Sequence, residues 1–261
     1  MGDRAQHEDG TFSWADLATT DPDGAKSFYS GLFGWDCEDV PVEGGTYTMC
    51  RLDGKAVAAI AGQREEERAQ NVPPHWNNYI TVRELDEQAP KVTELGGTLM
   101  LPPFDVMDVG RMAVAVDPTG AVFMLWQPKS SIGAELVNAP GALSWNEEAT
   151  ADVDGAKKFY AGLLGWTYDD MEMDGGITYS MIKNGDRMNG GIRSQAPQEQ
   201  GMPAFWVPYF GVVSSDESSA QAAELGGQVI MPTTRIPAGA FSVIADPQGA
   251  VFLLFEGDFD D

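Results

Sequence analysis

Apolar residues recur at two different periods along this chain. Ala25, Phe28, Tyr29 and Leu32 fall at i, i+3, i+4 and i+7, a spacing that puts four side chains on one face of a helix. Asp21-Pro22 marks its start, with Asp as the cap and Pro where a missing N–H costs nothing, and Gly34 marks its end. Thr11 to Thr19 before it reads as a strand. Trp35 to Pro41, Tyr47 to Leu52 and Lys55 to Ala61 after it read as short strands, divided by turns at Glu43-Gly44-Gly45 and Asp53-Gly54. The polar stretch Gly62 to His75, with Arg64-Glu65-Glu66-Glu67-Arg68 at its centre, is expected to be a solvated linker rather than a binding arm. Asn77 to Val82 is a strand and Leu85 to Leu95 a helix closed by Gly96-Gly97. Pro90 is expected to distort or delay the first turn of that helix. Three more strands end at Trp126.

The order then begins again. Asp23-Gly24-Ala25-Lys26-Ser27-Phe28-Tyr29 returns as Asp154-Gly155-Ala156-Lys157-Lys158-Phe159-Tyr160, and Leu32-Phe33-Gly34-Trp35 as Leu163-Leu164-Gly165-Trp166. Asp117-Pro118-Thr119-Gly120-Ala121-Val122-Phe123 returns as Asp246-Pro247-Gln248-Gly249-Ala250-Val251-Phe252. Two motifs kept in step through both halves mark an internal duplication. In the second copy Gly141 to Thr150 is a strand, Asp152 to Leu164 a helix, Trp206 to Val212 a strand and Asp216 to Leu225 a helix. The predicted fold is α+β. A polar tail (1–10) precedes a first domain (11–128), a linker (129–140) and a second domain (141–257). Each domain is two β-α-β-β-β units.

Net charge of −24 argues against nucleic acid and anionic membranes as partners, since both require cationic patches. No apolar run approaches the roughly 18 residues of a membrane span. The acidic, polar first ten positions do not resemble a secretory signal, so a cytoplasmic location is expected, as a monomer or homodimer. Cys37 and Cys50 flank the first hairpin and are expected to face each other as thiols; their repeat counterparts, Tyr168 and Ile182, exclude a duplicated metal site. No Gly-x-Gly-x-x-Gly opens a helix and no Gly-x-Ser-x-Gly elbow is present.

The unit with Phe-Tyr near its helix end, then Leu-x-Gly-Trp, then Asp-Pro-x-Gly-Ala-x-Phe before its last strand resembles the glyoxalase, bleomycin-resistance and extradiol-dioxygenase superfamily, also called the vicinal oxygen chelate superfamily. The likeness runs over nearly the whole chain and is greatest to two-domain glyoxalase-like proteins of actinobacteria. It implies that two units curl an eight-stranded mixed sheet around a cavity, with helices on the convex side. It also implies a divalent metal held by His, Gln or Glu from the first and last strands of the units. Counted from the shared motifs, those ligand places fall here on Trp14, Asn77 and Met124, and on Trp145, Val207 and Leu253. That set does not make a metal site of N and O donors, so no metal and no other cofactor is expected. Units from different domains can pair in this superfamily, which leaves open which units share a cavity.

Strand alternation then gives the predicted lining: Trp14, Asn77, Tyr79, Met124 and Trp126 in one copy, and Trp145, Tyr209, Leu253 and Phe255 in the other. Asp16 and Glu147 sit two residues beyond the Trp of each copy. Trp14 and Trp145 either fill the former metal place or stack on a planar ligand. Asp16 and Glu147 either act as general base, with a pKa raised by burial, or are held by a structural partner such as Arg111. The expected function is a metal-independent glyoxalase-like protein holding a small hydrophobic or aromatic metabolite, as in drug or natural-product sequestration. The alternatives are a cofactorless enzyme (isomerase, hydrolase or natural-product tailoring enzyme) using one of these carboxylates, and a glyoxalase or lyase with a remodelled site.

Overall fold

The computed structural model describes residues 2–42, 44–173 and 177–258, so Glu43 of the first predicted turn lies outside the described residues. The first half runs β1 (Phe12–Thr19), α1 (Pro22–Phe33), β2 (Asp36–Val42), β3 (Gly45–Leu52), β4 (Lys55–Gly62), α2 (Glu65–Ala69), β5 (His75–Thr81), α3 (Leu85–Glu94), β6 (Thr98–Val106), β7 (Gly110–Val116) and β8 (Val122–Pro128). The second half repeats it as β9 (Leu143–Thr150), α4 (Val153–Leu164), β10 (Thr167–Met173), β11 (Ile177–Asn184), β12 (Arg187–Ser194), a 3-10 turn (Pro197–Glu199), β13 (Phe205–Gly211), α5 (Ser215–Glu224), β14 (Gln228–Ile236), β15 (Gly239–Ala245) and β16 (Val251–Gly257).

The caps are those the sequence offers. Asp21 and Asp152 accept from the N–H groups of Gly24 and Gly155, at 3.1 and 2.9 Å. Gly34 and Gly165 end α1 and α4 with φ of 73°, a left-handed conformation that costs only glycine nothing. Helix α3 departs from expectation: it starts promptly at Leu85 and carries Pro90 in its interior. Only one backbone donor is lost there, and Leu85, Ala89 and Val92 still bury one face.

Two eight-stranded mixed sheets result, ordered β2-β3-β4-β1-β5-β8-β7-β6 and β10-β11-β12-β9-β13-β16-β15-β14. In each, the two units of one domain meet along a central antiparallel pair, β1 with β5 and β9 with β13. The pairing left open by the sequence is therefore within domains at the sheets.

The helix-covered cores are built differently. One core joins Phe28, Tyr29 and Trp35 of the first unit to Phe210, Ile244 and Phe252 of the last. The other joins Ile80, Leu85 and Phe123 of the second unit to Phe159, Tyr160 and Trp166 of the third. The duplicated motifs meet at these seams. Tyr29 donates to Asp246 at 3.0 Å and accepts from the Trp76 indole at 3.2 Å. Tyr160 repeats this with Asp117 at 3.1 Å and Trp206 at 2.8 Å. The helix tyrosine of one half thus closes on the Asp-Pro-x-Gly aspartate of the other.

The tail and linker are part of this packing. The indole N–H of Trp166 donates to the Gly10 carbonyl at 2.8 Å, and the Asn189 amide does so at 2.9 Å. Ala134 and Val137 of the linker pack with Trp14 and Trp126 on the concave side of the first sheet. Among the described residues no helix is long and apolar enough to cross a membrane.

Candidate functional site

Asp16 lies at the middle of β1, on the concave face, and is 5% exposed. The central pairing sets Asn77 opposite it, so the Asn77 amide donates to Oδ1 at 2.8 Å. Tyr79, two residues on, faces the same side and donates to Oδ2 at 2.7 Å. Tyr47 from β3 donates to Oδ2 at 3.0 Å and in turn accepts from the Trp14 indole at 2.9 Å. Burial pushes the Asp16 pKa upward, against the hydrogen bonds from Tyr79, Asn77 and Tyr47. All three of these donors are neutral. A buried carboxylate is thus presented at the base of the sheet with polar groups aimed at it and, among the described residues, no cation hydrogen-bonded to it.

Above Asp16 is a cavity of 230 Å³. Asp16, Asn77, Tyr79 and Met124 form its floor, and Leu101, Phe104, Met112 and Val114 of β6 and β7 form an apolar wall. Ala18, Ala61 and Gly62 leave the opposite side low. Arg64 and Glu67 stand at its edge, on the segment expected to be a plain solvated linker. The segment is solvated as expected, with no side chain of α2 buried, but it folds into the short helix α2, which Glu67 caps by accepting from the Arg64 N–H at 2.8 Å. The volume is under the roughly 300–1,000 Å³ of drug-sized sites, so it suits one ring or a short chain.

The second copy keeps the frame and changes the contents. Glu147 accepts from Tyr209 at 2.6 Å, and the Trp145 indole donates to Tyr179 at 2.9 Å, as Trp14 does to Tyr47. The partner of Glu147, however, is Arg193 on β12, whose Nε lies 2.6 Å from Oε1. The same guanidinium makes a fork to Glu199, at 2.5 and 2.8 Å. Burial works against the Arg193 charge, but the Glu199 and Glu147 carboxylates outweigh it and raise its pKa.

The predicted lining residues divide. Asn77, Tyr79 and Met124 line the first cavity with Asp16. Trp14 and Trp126 do not: both are 7% exposed and pack beneath the linker, where Trp126 donates to the Ser131 carbonyl at 3.1 Å. Trp145, Tyr209, Leu253 and Phe255 cluster on the concave face of the second sheet. Arg111 is not a partner of Asp16; it holds Asp86 at 2.6 Å and Asp105 at 3.4 Å on the surface. Sequence reasoning missed Tyr47, Tyr179, Arg193, Arg64 and Glu67. The pair Tyr47 and Tyr179 was findable, since both stand at the same place in the repeat. Arg193 was not, since its counterpart is Ala61.

The divalent metal that the resemblance implies does not fit these residues. At the ligand places, the Trp14 indole is committed to Tyr47 and Met124 is an apolar floor residue. Among the described residues no three His, Cys, Asp or Glu side chains gather in a way that could hold a metal ion.

A family model described as "Glyoxalase/Bleomycin resistance protein/Dioxygenase superfamily" matches residues 11–125 and 148–254. "Putative glyoxylase CFP32" of Mycobacterium tuberculosis is 45% identical over 255 residues, covering 97% of each chain. "Anthracycline biosynthesis protein DnrV" of Streptomyces peucetius is 32% identical over 258 residues, covering 95% of this chain and 93% of that one. Among solved structures, 2,2',3-trihydroxybiphenyl 1,2-dioxygenase of Sphingomonas wittichii superposes with a TM-score of 0.70 at 14% identity, over 97% of this chain and 92% of that one. The last is a likeness of fold.

Proposed function

The chain belongs to the glyoxalase/bleomycin resistance protein/dioxygenase superfamily, and we propose that its first domain binds a small, largely apolar metabolite over Asp16 without a metal. The observation that carries this reading is the 230 Å³ cavity with a buried, hydrogen-bonded carboxylate at its floor and an apolar wall of Leu101, Phe104, Met112 and Val114. Apolar surface supplies affinity there, and Asp16, Asn77 and Tyr79 orient one polar group of the ligand. The relative named for anthracycline biosynthesis supports a natural-product ligand. A thermal-shift screen of aromatic metabolites, repeated on Ala61→Arg, tests the reading. A hit that raises Tm in the native chain should be lost when the arginine fills the cavity. Undiminished binding by that variant would place the ligand elsewhere and sink the proposal.

A second reading is a cofactorless enzyme. It is favoured by the raised pKa of Asp16, which brings a buried carboxylate towards the range of a general base. The relative named as a glyoxylase supports turnover of some kind. Here Asp16 would take a proton at Oδ1 or Oδ2, with Tyr47, Tyr79 and Asn77 holding the carboxylate in place. Asp16→Asn separates the readings. An enzyme loses turnover and keeps its substrate affinity, whereas a binder has no turnover to lose.

A further inference from the structure

The second domain carries a side chain of its own where the first domain has its cavity. On β4, Ala61 stands two residues beyond Ala59, the strand partner of Asp16. On β12, Arg193 stands two residues beyond Gly191, the strand partner of Glu147. Ala61 and Arg193 are therefore the same place in the repeat. The acidic residues match as well. Glu67 accepts from the Arg64 N–H and Glu199 from the Ala196 N–H, each at 2.8 Å at the head of its short helix. In the second domain the guanidinium lies between these two acids, 2.6 Å from Glu147 and 2.5 Å from Glu199. In the first domain both acids remain, Arg64 reaches Glu67 alone, and among the described residues no guanidinium bridges the two, with the cavity in the bridging place.

We propose that the first cavity takes an organic cation, an amidinium, guanidinium or primary ammonium on a single ring or short apolar body, with its charge between Asp16 and Glu67. Arg193 is the internal pattern for that charge. The ligand's body lies against Tyr79, Phe104 and Met112. This rests on the ligand-binding reading above and adds the charge class. A resident cation, Arg64, also borders the cavity, and it argues for an anionic ligand instead. Its side chain is 61% exposed and only 3.5 Å from Glu67, a geometry in which an ion pair contributes little. Asp16, by contrast, is buried, its hydrogen-bond donors Tyr47, Asn77 and Tyr79 are neutral, and the His75 ring acts on it only at a distance, so an incoming positive charge meets a poorly screened partner.

Three probes of nearly equal shape test this by calorimetry or ligand-observed NMR on the whole chain: benzamidine, benzamide and benzoate. Benzamidine should bind at least tenfold more tightly than benzamide, and benzoate should be the weakest. Asp16→Asn should remove the advantage of benzamidine and leave benzamide unchanged. Equal binding of benzamidine and benzamide, or a preference for benzoate, overturns the cation assignment while leaving an apolar site in place. Failure of all three to bind at millimolar concentration counts against the cavity reading itself. A second measurement uses Arg193→Ala, which empties the second domain's place. Benzamidine should then raise the Tm of that variant more than that of the native chain, with two molecules bound instead of one. A single bound molecule and an equal rise in Tm would contradict Arg193 as the pattern for the ligand.

Discussion

At the scale of single residues, the chemistry is set by which donor reaches which oxygen or sulfur. Cys37 and Cys50 stand directly opposite each other on β2 and β3, as thiols with their sulfurs 3.2 Å apart. The Cys50 thiol donating to the Cys37 sulfur brings the Cys37 pKa down to about 7, against a smaller upward push from burial. Iodoacetamide labelling of Cys37, followed by peptide mass spectrometry, should therefore reach half its plateau rate near pH 7. Cys50→Ala should move that point upward, since the burial of Cys37 and the Ser30 hydroxyl beside it remain while the largest downward influence is gone. An unchanged midpoint would show that Cys50 has no part in it. Glu148 is the opposite case, a carboxylate with nothing to balance it. It is fully buried, its Oε2 has no partner, and its Oε1 lies 3.0 Å from the Thr119 hydroxyl. That hydroxyl is also 2.8 Å from Asp117, and its one proton serves only one acceptor. A neutral Glu148 donating to Thr119 satisfies both. Burial, with the nearby Asp117 charge, pushes the Glu148 pKa well up. The sign follows: the stability associated with the neutral form is intact below the unfolded carboxyl pKa of about 4.3 and is lost as pH rises from there towards the folded value. The first copy has Leu17 at this place. Glu148→Leu should raise stability by about 1–3 kcal/mol at pH 7, with the gain shrinking towards pH 4 in urea titrations.

At the scale of elements, the repeated glycines do two different jobs. At Gly34 and Gly165 a Cβ would meet nothing within 4 Å, so only the left-handed backbone is at stake. Gly34→Ala and Gly165→Ala should each lower stability by about 1–2 kcal/mol in urea titrations, with no loss of packing. At Gly31 and Gly162 a Cβ would come 2.9 Å from a methyl of Leu225 and Leu95, exposed side chains whose ends can shift, so glycine there eases the approach of α1 to α5 and of α4 to α3 without being required. The elements themselves were legible because each carries a local signal: Asp21 and Asp152 as caps, Gly34 and Gly165 as stops, Phe28 and Tyr29 as a helical face. The carboxylates Asp16 and Glu147 were legible as well, through strand alternation beside the two Trp. Arg193 was not, because it reaches Glu147 across a strand pairing that no local spacing encodes and its counterpart in the repeat is Ala61. Helix α2 was hidden for a further reason. Its five residues bury none of their side chains, so no apolar period announces it.

At the scale of the whole molecule, sheets form within halves and cores form between them. Phe28, Tyr29 and Leu32 of α1 pack with Phe210, Phe252 and Leu254. A chain ending near position 136 would leave that face in water, at a cost of about 1.5–3 kcal/mol for each large side chain exposed. Expressed alone, such a half should lack a cooperative thermal transition as a monomer, measured by circular dichroism with light scattering. A sharp monomeric transition would mean that the seam contributes little. The same seam bears on how the two pockets came to differ. Two identical half-length chains, joined as these halves are, would have to carry one residue at both copies of any position, so an arginine in one pocket would appear in the other. A peptide link between positions 129 and 140 lifts that obligation. One pocket has become a closed strut, with Arg193 tied to Glu147 and Glu199, and its twin has stayed open over Asp16. Covalent fusion thus allows each member of a symmetric pair to be selected separately, one for firmness and one for vacancy.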